Sequence, residues 1–154
     1  MNWIGDNKDV LAIVLSLTAV GVSLVTILLA RRQARIDSYT RLHETLVSPA
    51  MGEGRRLLFL AAADDTFPAP ADPAWDKINQ ALAIYDCAGV YYRNKLIPRQ
   101  LFMESWHHPL ANIKAPAEAF LNHAQRNSVR RTWVSLQNLL DEAAAYKSKD
   151  SCCT

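Results

Sequence analysis

Residues 10–30 read VLAIVLSLTAVGVSLVTILLA, 21 residues without a charge, and Arg31, Arg32 and Arg35 follow at once. As an α-helix rising about 1.5 Å per residue, this run is roughly 31 Å long and matches the ~30 Å hydrocarbon core of a bilayer. The stretch predicts a membrane-spanning helix, with everything beyond it a small tethered domain. A cleaved signal peptide fits less well. The run is longer than the usual apolar region of such a peptide, Asp6-Asn7-Lys8-Asp9 before it is not basic, and Leu28 to Arg32 offers no small-x-small cleavage site. Nor does a core helix fit, since a domain of this size rarely surrounds 21 consecutive residues on every side.

The flanking charges set a direction. Asp6, Lys8 and Asp9 precede the span, whereas Arg31, Arg32, Arg35 and Arg41 follow it. By the positive-inside rule the N-terminus lies outside and the domain lies in the cytoplasm of an inner (plasma) membrane protein. Trp3 stands where an interfacial aromatic anchors the outer end. The expected divisions are an external N-terminus (1–9), the span (10–30), a cytoplasmic helical domain (31–146) and a polar tail (147–154).

The span also has two faces. Ala12, Ser16, Ala19, Ser23, Thr26 and Ala30 recur at spacings of four and three, so small residues form one stripe, while Leu, Ile and Val suit the opposite face to lipid. Two such stripes bring helix backbones close and let hydroxyls bond across the contact. The stripe predicts a homodimer or a protein partner met through the membrane helix. Arg31, Arg32 and Arg35 are expected to touch anionic lipid headgroups, at about 1 kcal/mol per charge near the surface.

Removing residues 1–30 leaves 124 residues, enough for one core. They carry 16 Lys and Arg against 13 Asp and Glu, an excess too small for a dedicated nucleic-acid binder. Cys87, Cys152 and Cys153 are expected to be thiols in a reducing compartment. No CxxC spacing supports zinc.

No alternating strand pattern occurs, so the fold class expected is all-α: the membrane helix continuing into a compact five-helix domain. The first helix runs from the span to Val47, with Ile36, Tyr39, His43 and Leu46 on one side, and Ser48-Pro49 stops it. A second helix, capped by Ser48, runs to about Ala63 with Met51, Arg55, Leu58 and Ala62 on one face. Asp64 to Ala71 reads as a mobile, protruding loop. Asp72-Pro73 opens the central helix, marked by Trp75, Ile78, Leu82, Tyr85, Gly89 and Tyr92, and Asn94-Lys95 closes it. Ile97-Pro98 begins a short helix with Leu101, Phe102, Ser105 and Trp106. Pro109 and Pro116 are expected to break or kink the stretch beyond it, where Leu110, Ile113, Ala117, Phe120 and Leu121 are apolar. The last helix starts near Ser128 and carries Val129, Trp133, Leu136, Leu140 and Ala143. The expected core is Trp75, Ile78, Leu82, Tyr85, Trp106, Phe120, Trp133, Leu136 and Leu140.

Chemistry-bearing residues are sparse. His107 and His108 are adjacent, about 100° apart on a helix, and with His123 they lack a carboxylate or thiol at a matching spacing. His43 has Val47, not a ligand, at i+4. Gly52-Glu53-Gly54-Arg55-Arg56 has neither the spacing nor the preceding strand of a phosphate loop, and reads as a helix start whose glycines allow close approach. Asp86 beside Cys87 opposes thiolate formation. The pairs Asp64-Asp65 and Asp141-Glu142 read as solvated charge, and Arg126, Arg130 and Arg131 as a basic helix start. The expectation is therefore a membrane-anchored interaction or regulatory module, an accessory subunit of a membrane complex. No enzymatic activity, cofactor, metal or nucleic acid is expected. The alternatives are a membrane-tethered metal-dependent hydrolase using His107, His108 or His123, and an anionic-lipid sensor using Arg31, Arg32, Arg35, Arg126, Arg130 and Arg131.

Ser48-Pro49-Ala50-Met51 with Arg55-Arg56, Ile78-Asn79-Gln80-Ala81-Leu82 leading to Tyr85-Asp86 and Gly89, and Leu96-Ile97-Pro98 with Phe102 and Trp106 follow the arginine-rich exit in order. In this the chain resembles a domain-of-unknown-function bacterial family, frequent in actinomycetes. Its members pair an N-terminal span with a small cytoplasmic helical domain. These are helix-packing motifs, so the resemblance implies a fold and a location and carries over no catalytic residue.

Overall fold

A computed structural model describes residues 8–126 and 133–146, the side chains of 8–11, 125 and 126 excepted. Within those residues every regular element is a helix: α1 (Lys8–Leu46), α2 (Pro49–Ala63), α3 (Pro73–Arg93), α4 (Arg99–Arg126) and α5 (Val134–Ala145). No strand occurs among them. The chain divides into two units, Met1–Asp37 and Ser38–Thr154.

In the first unit α1 is long and apolar enough to cross a membrane, and every residue from Ala12 to Asp37 is exposed. The second unit has one core, in which α3 packs against α2, α4 and α5, and α4 also packs against α2 and α5. Trp75, Ile78, Leu82, Tyr85, Trp106, Phe120, Leu136 and Leu140 are all buried there. Every described buried side chain is apolar or tyrosine.

Local chemistry sets the helix ends. The Asp72 carboxylate accepts from Ala74 N–H at 2.8 Å, with Pro73 in the first turn of α3. α3 ends as expected at Asn94-Lys95: Lys95 turns left-handed (φ 58°), and the N–H groups of Lys95 and Leu96 donate to Tyr92 and Tyr91 carbonyls. α2 closes the same way, with Asp65 at φ 47° and Thr66 N–H on Ala61 O.

Several expectations need correction. The inward face of α1 in the second unit is Leu42 and Leu46 with half-buried Tyr39, whereas Ile36 and His43 are exposed. On α2 the buried set is Met51, Gly54, Leu58 and Ala61, one position round from the expected Arg55 and Ala62. The guanidinium of Arg55 instead reaches out of that face to the Tyr85 hydroxyl at 3.5 Å. α4 is a single helix of 28 residues that runs through both Pro109 and Pro116. The carbonyls that these prolines leave without an i+4 partner belong to Ser105 and Asn112, both exposed residues. The loop after α2 is pinned by Phe67, whose ring packs against Phe120 (5.9 Å) and His123 (5.3 Å). Trp133 lies outside the helix and packs against the edge of the core. It is half-buried at the N-cap of α5 with a left-handed φ of 74°. The expected helix start near Ser128, including Val129, falls outside the described residues.

Candidate functional site

Along α1 the small-residue stripe of Ala12, Ser16, Ala19, Ser23, Thr26 and Ala30 is exposed from end to end. Two of its three hydroxyls bond within the helix. Ser23 donates to Ala19 O and Thr26 to Val22 O, each at 2.8 Å, so both protons are spent within the helix. Thr18 does the same to Val14 O at 2.7 Å. What remains for a neighbouring helix is the Ser16 hydroxyl, which makes no bond among the described residues, the lone pairs of Ser23 and Thr26, and close packing. A shallow furrow at Gly21, flanked by Thr18, Val22 and Val25, lies roughly a third of a turn from the stripe and shares only Thr26 with it.

Arg31, Arg32 and Arg35 are exposed, and no ion pair reaches any of them among the described residues. Three unpaired cations follow directly on the apolar segment. Of the second basic group, the Arg126 side chain, Arg130 and Arg131 lie outside the described residues, as do Trp3, Cys152 and Cys153.

The histidines are dispersed. The His107 ring nitrogen Nδ1 bonds Met103 O at 2.8 Å, and its ring lies 4.1 Å from that of His108. His123 belongs to the separate aromatic group of Phe67, Trp75 and Phe120. Sixteen residues of one helix, about 24 Å, separate it from His107. His43 Nδ1 accepts from the Trp106 indole at 3.3 Å. Beside this bond the Tyr39 hydroxyl donates to Ser105 Oγ at 3.1 Å, so two side-chain bonds hold α1 to α4. Among the described residues no three His, Cys, Asp or Glu side chains converge as a metal site.

Polar chemistry at the helix junctions escaped the sequence reading. Asp86 Oδ1 accepts from the Leu136 N–H at 2.8 Å, capping the first turn of α5 from the middle of α3. Trp133 supplies no side-chain cap there. Three residues on, Gly89 lies so close to α5 that a Cβ would collide with the Ser135 carbonyl oxygen. The available signal was a carboxylate and a glycine three apart on the otherwise apolar stripe of α3. At the other end of the α3–α5 contact, Arg99 stacks over the Tyr92 ring at 4.4 Å and pairs loosely with Glu142 at 3.9 Å. Burial pushes the Tyr92 hydroxyl up to about 12, helped by the hydrogen-bonded carboxylate of Glu142 and offset by Arg99. Burial likewise raises Tyr85, with Arg55 acting against it. A cleft of about 260 Å³ opens beside Tyr92, lined by Arg93, Asn138, Asp141 and Glu142, and Asp141 is held by Lys114 at 2.7 Å. No protein-family model, curated protein or solved structure matches the chain.

Proposed function

We propose that this chain is a single-pass membrane protein. The apolar part of α1 spans the bilayer with its N-terminus outside, and the helical domain works in the cytoplasm as an interaction or regulatory module, an accessory subunit of a membrane complex. The observation that carries this reading is the complete exposure of α1 from Ala12 to Ala30. So much contiguous apolar surface is unstable in water, and a hydrocarbon layer of the same thickness covers it. Arg31, Arg32 and Arg35, exposed and without ion pairs, then meet anionic headgroups.

The small-residue stripe is the face offered to a second membrane helix, from another copy or from a partner, with close packing as the main drive and Ser16 the hydroxyl left to donate. Outside the span, Phe59, Leu60, Leu96, Leu101 and Val134 stay exposed and are surface for a protein partner to cover.

Two measurements on bacterial cells expressing the chain test the reading. Alkaline carbonate should leave the protein in the membrane fraction. A membrane-impermeant maleimide should label an N2C variant lacking the native cysteines in intact cells, and label native Cys87 only after lysis. Release by carbonate, or labelling in the reverse order, overturns the proposal.

A further inference from the structure

A cleft of about 300 Å³ lies between α1 and α3, wholly within the unit that begins at Ser38. Leu42 and Ile84 give it apolar walls, and Cys87 opens onto it. Ser38, Arg41 and Thr45 from α1 and Tyr91 from α3 are its polar lining residues, and the two strongest donors among them are the Arg41 guanidinium and the Tyr91 hydroxyl. Among the described residues neither group has a hydrogen bond or an ion pair. Asp37 and Glu44 stand four before and three after Arg41 on α1, yet neither pairs with it. The Thr45 hydroxyl, also in the lining, is spent on the Arg41 carbonyl at 2.9 Å. No carboxylate lines the cleft. It therefore presents two unused donors, one a permanent cation, beside an apolar surface.

We propose that this cleft binds an amphipathic monoanion: a carboxylate held by Arg41 and Tyr91, on an alkyl chain lying against Leu42 and Ile84. A guanidinium meets a carboxylate through two parallel hydrogen bonds, and here the exposed Arg41 supplies the charge while half-buried Tyr91 supplies the second donor. The cleft is small and open to solvent, so a short-chain carboxylate such as octanoate is the fitting probe. Its volume lies at the small end of ligand sites. The inference goes beyond the membrane-module reading and does not depend on it, because it gives the domain a small ligand of its own.

Cys87 is exposed and lines the same cleft, so occupancy reads out as protection of its thiol. The test uses the full chain with C152S and C153S, in nanodiscs of zwitterionic phosphatidylcholine, and follows the rate of Cys87 alkylation by N-ethylmaleimide. Octanoate should slow alkylation saturably, and at about tenfold lower concentration than the isosteric octanamide, the difference expected of one charge-assisted hydrogen bond. Arg41→Gln should erase that difference, and Tyr91→Phe should reduce it. Equal protection by octanoate and octanamide, protection by neither, or a difference that survives Arg41→Gln overturns the proposal. The comparison of the two ligands on the unsubstituted cleft decides the matter even if a variant fails to fold.

Discussion

Gly54 of α2 rides directly on the backbone of α3 at Lys77: a Cβ at Gly54 would lie 2.6 Å from the Lys77 carbonyl oxygen and 2.7 Å from Ala81 Cβ. The two helices meet there with only the Ala81 methyl and the Lys77 backbone facing Gly54. Gly54→Ala must push α2 off α3 and should cost about 1–3 kcal/mol, whereas Gly52, which has open space, should gain up to about 1 kcal/mol as alanine in the same helix. Denaturant unfolding of the two variants in detergent checks this. Similar effects at both glycines would contradict the close approach.

The tertiary cap on α5 gives a second expectation. Asp86→Ala strips the acceptor from the Leu136 N–H and should destabilise by about 1–2 kcal/mol, while Asp86→Asn keeps an oxygen in place and should cost less. Thermal unfolding of both variants separates them. An alanine no worse than the asparagine would mean that the bond contributes nothing.

Core truncations should follow burial. Leu82 and Leu136 are 0% exposed, and replacing either by Ala should cost about 2–5 kcal/mol. Leu96, exposed at 47%, should change by less than about 0.5 kcal/mol under the same substitution.

Alkaline pH should weaken the fold through Tyr92. Its hydroxyl sits at about 12 in the folded chain and near 10 when unfolded, so the fold favours the protonated form. The resulting stability is complete below about pH 10 and is lost as pH rises from there to about 12. Tyr92→Phe should remove about 1–2 kcal/mol of that decline and leave the share that Tyr85, shifted in the same direction, contributes. Unfolding curves measured at pH 9 and pH 11.5 would superimpose for the two proteins if the hydroxyl were not held in this way.

The stripe on the span makes the last expectation. Replacing Ser16, Ala19 and Ser23 together by Leu should block close approach of a second helix and lower the oligomeric state, or release a co-purifying partner, in mild detergent. Mass measurement of the purified particle checks it. An unchanged mass and composition would leave the stripe as ordinary lipid-facing surface.

Much of this fold could be read from periodicity, because the signal and the physics coincide. Trp75, Ile78, Leu82 and Tyr85 recur at helical spacing and are buried for that reason, and Asp72-Pro73 marks the start of α3. The reading failed where a side chain's role depends on a residue distant in sequence. Arg55 looked like part of a face because spacing alone does not tell a packed side chain from one reaching past it to Tyr85. Pro109 and Pro116 looked like places to break or kink the chain; no break occurs, and local rules miss this because they do not weigh the packing that carries α4 on through them. Phe67 looked mobile because its partners Phe120 and His123 lie more than fifty residues on. The Arg41–Tyr91 cleft was invisible for the same reason, its donors being fifty residues apart.

α5 does not define its own beginning. Its N-cap residue, Trp133, holds a left-handed backbone without a side-chain cap, and the acceptor that satisfies its first turn belongs to α3, fifty residues earlier. A helix of 12 residues is marginal alone in water. This dictates an order of assembly: the α2–α3 hairpin, built on contacts close in sequence, must exist before α5 has a place to nucleate. α5 is therefore held by a contact that closes a loop of fifty residues, and without it the apolar stripe of α3 that faces α5 would be uncovered.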